Sequence, residues 1–137
     1  MLRCFFLPMK SRKRLFLLLA WTLFIMVIVG IPGGYIPKPV GILSLLSPDK
    51  IVHLFLFAPL SIFFLSYLNS FNYKNIFTNH AVIWALFYGI VYAISTELLQ
   101  FYVFIGRNGN LYDAMADILG TVLGIIIFNK WIKEKIT

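Results

Sequence analysis

Four stretches of this chain, residues 15–31, 51–68, 81–101 and 111–128, are apolar almost without a break. Each matches the about 17–25 residues that a helix needs to cross a bilayer. A chain carrying such runs has few ways to fold. In lipid every backbone N–H and C=O must be satisfied internally, which leaves helices and closed barrels. The runs lack the apolar–polar alternation of barrel strands. The sequence therefore predicts an all-α fold: a small polytopic membrane protein with four transmembrane helices. Composition agrees, because only 12% of the 137 residues are charged and 61% are apolar. A soluble domain carries roughly 25% charged residues, so this chain cannot cover a water-facing surface.

The breaks between runs are well marked. Pro32, Gly33, Gly34, Pro37 and Pro39 end the first run and make an irregular loop. Ser47-Pro48-Asp49 reads as a helix start, with a Ser N-cap, Pro at the first helical position and then an acid. Residues 69–79 form a short polar connector. Residues 106–110 form a turn in which Asn110 can cap the last helix. The expected organisation is a basic N-terminal segment (1–14), a four-helix membrane domain (15–128) and a basic tail (129–137). The first run is read as a retained span rather than a signal peptide. It is long, and its exit, Gly30-Ile31-Pro32-Gly33-Gly34, has no small-residue cleavage pattern. Pro59 should kink the second helix. Gly120 and Gly124 form a G-x-x-x-G that suits close helix packing, within the bundle or between copies in a homo-oligomer. A lone cysteine, Cys4, rules out an internal disulfide.

The net charge of +7 does not indicate nucleic acid. The basic residues flank the apolar runs, where they act as topology signals. Arg3, Lys10, Arg12, Lys13, Arg14, Lys74, Lys130, Lys133 and Lys135 fall on one side of the predicted topology, and Lys38, Lys50 and Arg107 on the other. The positive-inside rule then puts both termini in the cytoplasm.

That topology gathers the acids. Glu134 lies in the tail, but Asp49, Glu97, Asp113 and Asp117 all fall at the outer ends of helices, with Lys50, His53, Gln100 and Arg107. Spacings of three or four residues (Asp49 and Lys50 to His53, Glu97 to Gln100, Asp113 to Asp117) put each set on one helix face. Asp49 and Asp113 are also explained by the positive end of a helix. Glu97 and Asp117 are not, and an acid inside a span is a functional-site hypothesis by default. Arg107 is either an interfacial anchor or the ion-pair partner that lets Glu97 or Asp117 be buried.

These residues resemble the VanZ-like family. The resemblance rests on Asp49-Lys50-x-x-His53, Glu97-x-x-Gln100, Arg107 and Asp113-x-x-x-Asp117-x-x-Gly120, and covers roughly residues 47–124. Many family members have Asn where this chain has Asp117, so the extra acid alters the charge and metal preference of the site. The resemblance implies a multi-pass protein of the bacterial cytoplasmic membrane. Its namesake is associated with low-level resistance to the glycopeptide teicoplanin.

Three functional readings are open. The first is a binder of an envelope component, either a membrane lipid headgroup or a lipid-linked cell-wall precursor. There Lys50 and Arg107 would meet phosphate or carboxylate, while Glu97, Gln100 and Asp117 would accept hydrogen bonds. The second is a membrane enzyme acting on such a headgroup, with His53 as acid or base and Glu97 and Asp117 orienting it or holding a divalent metal. No compact metal motif such as H-E-x-x-H is present. The third is a polar network that only locks the helices together.

Overall fold

The computed structural model describes residues 11–32, 34, 48–71, 76–107 and 109–133. Cys4, the Ser47 cap, Lys38, Lys74, Glu134 and Lys135 lie outside the described residues. Among those described, every regular element is helical: α1 (Ser11–Val29), α2 (Pro48–Leu68), a single turn α3 (Ile76–Asn79), α4 (Ala81–Tyr102) and α5 (Leu111–Ile127). A π-helical turn, Phe128–Ile132, continues α5.

Three of these helices are long and apolar enough to cross a membrane, not four: Asp49–Leu68, Ala81–Tyr102 and Leu111–Ile132, the last including the π turn. The reason lies at both ends of α1, which also stops at Val29, two residues before the apolar run ends. Arg12, Lys13 and Arg14 occupy its first turn, so only 15 of its 19 residues follow the charges. At 1.5 Å per residue that apolar remainder is about 22 Å long, short of the roughly 30 Å hydrocarbon core. Arg14 is drawn into the protein, where its Nη1 donates to the Ser66 carbonyl at 2.9 Å.

Side-chain bonds tie α1 to its neighbours along its length. Trp21 Nε1 donates to the Leu56 carbonyl at 2.8 Å. Tyr92 Oη donates to the Thr22 carbonyl at 2.6 Å, and Gln100 Nε2 to the Val29 carbonyl at 3.2 Å. Arg14 near the end of α2 and Val29 near the end of α4 fix the direction: α1 runs antiparallel to α2 and parallel to α4. The core between them comprises Leu18, Ile25, Val29, Leu56, Phe57, Leu60 and Ala93. A second cluster, with Leu65, Ala85, Ile125 and Phe128, closes the opposite end. Outward, Phe16, Leu19, Phe55, Phe87, Ile94 and Leu119 stay exposed. Large apolar side chains facing out on every side fit a lipid environment better than water. Helix α2 continues unbroken through Pro59.

Helix α5 lies directly on the backbone of α2. A β-carbon at Gly120 would collide with the Leu54 carbonyl, and one at Gly124 with the Ala58 carbonyl and Ser61 Oγ. Both glycines are buried. Their packing partner is thus α2 of the same chain. Opposite Gly120, Gly89 of α4 packs on the Thr121 side chain. A large side chain here must force the helices apart, and overpacking of this kind costs about 1–3 kcal/mol. We expect Gly124→Leu to lower the thermal unfolding midpoint of the detergent-solubilised protein by several degrees. Leu119→Ala, at an exposed position of the same helix, should leave it unchanged.

Candidate functional site

At the end of the bundle where α2 and α5 begin and α4 finishes, three helices contribute ionisable side chains at one depth. His53 comes from the second turn of α2, Glu97 from the last part of α4, and Asp117 from the second turn of α5. His53 is 1% exposed, Asp117 0% and Glu97 9%. His53 Nδ1 lies 2.9 Å from Asp117 Oδ1 and 4.0 Å from Glu97 Oε1.

The α2–α5 contact sets this pairing. Starting from the glycines and moving one turn toward the helix starts brings Asp117 opposite His53. One turn further brings Asp113 opposite Lys50, where Lys50 Nζ and Asp113 Oδ1 form an ion pair at 3.3 Å. Lys50 also lies 6.0 Å from the Tyr112 ring centroid. Asp113 is buried, whereas Asp49 is exposed.

Glu97 is held from the other side by the α4–α5 turn. The backbone N–H of Asn110 donates to Glu97 Oε2 at 2.6 Å. The same residue caps α5, its Oδ1 accepting from the Tyr112 N–H at 3.1 Å. Gly109 lets the turn come this close: a β-carbon there would stand 2.6 Å from the Glu97 carbonyl oxygen. Gly106, with φ of 71°, supplies the left-handed residue of the turn. The contribution of Gly109 and of the Asn110 backbone was not foreseen from the sequence. A glycine directly before an N-cap was the available signal.

Two predicted site residues are used differently. Arg107 forms no ion pair with Glu97 or Asp117 among the described residues; its backbone N–H bonds to the Phe104 carbonyl at 3.3 Å. The acids are served by an imidazole and a main-chain N–H instead. Gln100 points to α1, where its amide serves helix packing. Thr96 Oγ1 and Ser95 Oγ donate to the Ala93 and Val91 carbonyls of their own helix, at 2.8 and 2.7 Å.

The network is not closed. Glu97 Oε1 and Asp117 Oδ2 are buried without a hydrogen-bond partner. Such groups are rare in folded proteins and call for an explanation. Beside them, an apolar groove of about 270 Å³ runs between α4 and α5, lined by Ile94, Glu97, Leu98, Phe101, Leu111 and Ala114. Glu97 is common to the groove and the polar cluster. A second cavity, of about 290 Å³, lies at the opposite end of the bundle, but its His80 and Lys133 are exposed.

The VanZ/LLP1 family model matches residues 3–133, and the chain belongs to that family. No curated protein and no solved structure matches the chain. The family match extends well beyond the polar residues, to α1 and the basic end of α5.

The geometry separates Asn110 and Gly109 from Arg107. Asn110→Ala should lose about 1 kcal/mol of stability through the cap. Gly109→Ala should cost at least as much, because it pushes the Asn110 N–H away from a buried carboxylate. Arg107→Ala should change stability by less than about 0.5 kcal/mol, as at other surface positions. Thermal unfolding of the three purified variants checks the order.

Proposed function

We propose that this VanZ/LLP1 protein binds the polar headgroup of an envelope lipid, or of a lipid-linked cell-wall precursor, at the non-cytoplasmic end of its bundle. The observation that carries the reading is Glu97, which joins a lipid-facing groove to a buried polar cluster holding unpaired carboxylate oxygens. A lipid chain would lie against Ile94, Leu98 and Phe101 while its headgroup reaches Glu97, His53 and Asp117. A network serving only to lock helices would gain from pairing those oxygens, since each unsatisfied buried group costs about 1–3 kcal/mol.

The charge balance narrows the ligand. Lys50 is engaged by Asp113, and among the described residues Arg107 forms no ion pair with Glu97 or Asp117. The buried acids Glu97 and Asp117 therefore face one imidazole and no committed cation. A headgroup entering here carries a positive charge or arrives with one. Orientation follows from the opposite end, where Arg12 and Lys13 of α1 gather with Lys130 and Lys133 of the last turns. The positive-inside rule makes that end cytoplasmic.

An enzymatic reading draws on the His53–Asp117 contact, because a carboxylate that orients an imidazole is a common acid–base arrangement. Mass spectrometry distinguishes the two. A binder retains its lipid unaltered through purification. An enzyme converts lipids supplied to it, and His53→Ala abolishes the conversion.

Two outcomes follow. Glu97→Gln removes a charge without changing shape, and Leu98→Trp fills the groove without touching a polar atom. Both should lose the co-purifying lipid, with stability unchanged or raised for Glu97→Gln, because buried charges are often costly. Retention of the same lipid by both variants defeats the proposal. For orientation, Ile105→Cys in a Cys4→Ser background should react in intact cells with a membrane-impermeant maleimide. Labelling only after lysis would place the site end in the cytoplasm.

A further inference from the structure

We infer that His53, Glu97 and Asp117 form a binding site for one divalent transition-metal ion. Their ligand atoms, an imidazole nitrogen and two carboxylate oxygens, lie within 4.8 Å of one another, and all three residues are buried. At metal–ligand bonds of about 2.1 Å, neighbouring ligands stand roughly 3.0–3.4 Å apart for octahedral to tetrahedral angles. The 2.9 Å His53–Asp117 spacing is already there. The 4.0 Å His53–Glu97 spacing closes with a small turn of the Glu97 side chain.

The second observation is the pair of vacant acceptors. Asp117 Oδ2 and Glu97 Oε1 are buried and without partners, and Glu97 Oε1 is the oxygen on the His53 side. Glu97 is otherwise oriented by the Asn110 N–H on its other oxygen, and the Asp117 backbone carbonyl accepts from Thr121 Oγ1 at 3.0 Å. Outer contacts of this type fix ligands before an ion arrives. Charge points the same way: two carboxylates and a neutral imidazole carry −2, which a divalent ion cancels. On binding, the neutral imidazole holds its one proton on Nε2 and gives the Nδ1 lone pair to the ion, so no net proton is released. One nitrogen with two carboxylate oxygens suits Zn²⁺, Mn²⁺ or Fe²⁺ better than the all-oxygen preference of Ca²⁺ and Mg²⁺.

The inference goes beyond the headgroup reading and stands without it. If both hold, the ion is the cation that the headgroup meets. The test uses full-length protein stripped with EDTA and placed in nanodiscs of synthetic phosphatidylcholine, titrated calorimetrically with ZnCl₂ and with MnCl₂. One ion per chain is expected for at least one metal. Glu97→Gln and Asp117→Asn should each weaken it by about 100-fold or more, at or beyond the upper end of what losing an outer-shell partner costs. His80→Gln, which alters the other histidine of the chain, should bind like the parent. Wild-type protein loaded with Mn²⁺ should also show ¹⁴N coupling from one imidazole by electron spin-echo spectroscopy, a readout that needs no variant. Absence of binding by the folded parent, equal affinity in both acid variants, loss of binding in His80→Gln, or Mn²⁺ without nitrogen coupling each overturns the site. Lipid retention is measured on separate, unstripped samples, so failure of the metal site leaves the headgroup reading standing, and the reverse.

Discussion

Gly120 and Gly124 carry no side chains, so α5 rests on the backbone of α2, and the pairing of polar groups between these two helices takes its position from that contact. Helices that touch at small residues have their axes unusually close. Close axes also bring the longer side chains one and two turns away into register. Asp117 meets His53, and Asp113 meets Lys50. A single geometric constraint near the middle of two helices therefore builds a ladder of paired charges at their ends.

Helix α4 completes the site from a different direction. It does not share the glycine contact with α2, and Glu97 reaches the cluster because the α4–α5 turn holds it there through the Asn110 N–H. One residue thus caps α5 and orients the acid of α4. The turn couples the helix start to the site, and Gly109 is the space that lets it do so. Helix α1 contributes no ionisable group to the cluster. It covers α2 and α4 and is held by Trp21, Thr22 and Val29, chiefly through main-chain carbonyls.

The site is costly for a membrane protein. Ionisable residues inside spans each cost about 2.5–3.5 kcal/mol on insertion scales. Here two acids are left with an unpaired oxygen each. Helix packing does not require this, because apolar side chains of similar size would fill the same space. The unsatisfied oxygens, their orientation by outer contacts and the adjoining groove support a role in binding.

The sequence by itself determined the helices and the layer. Long apolar runs admit little but membrane helices, and spacings of three and four residues put His53, Glu97 and Asp117 on helix faces at one depth. These are local properties, readable along a chain. The number of candidate spans was less legible, because α1 carries three basic residues in its first turn and stops at Val29, two residues before the apolar run ends. Which group pairs with which acid was decided only by tertiary structure. Arg107 was expected either as an interfacial anchor or as the ion-pair partner of Glu97 or Asp117, whereas Glu97 accepts from a backbone N–H, since main-chain donors have no sequence identity and their direction depends on the turn. Likewise the glycine pair could have faced a second chain as well as α2. In the packed bundle both lie buried against α2, a contact that no local property of the sequence specifies.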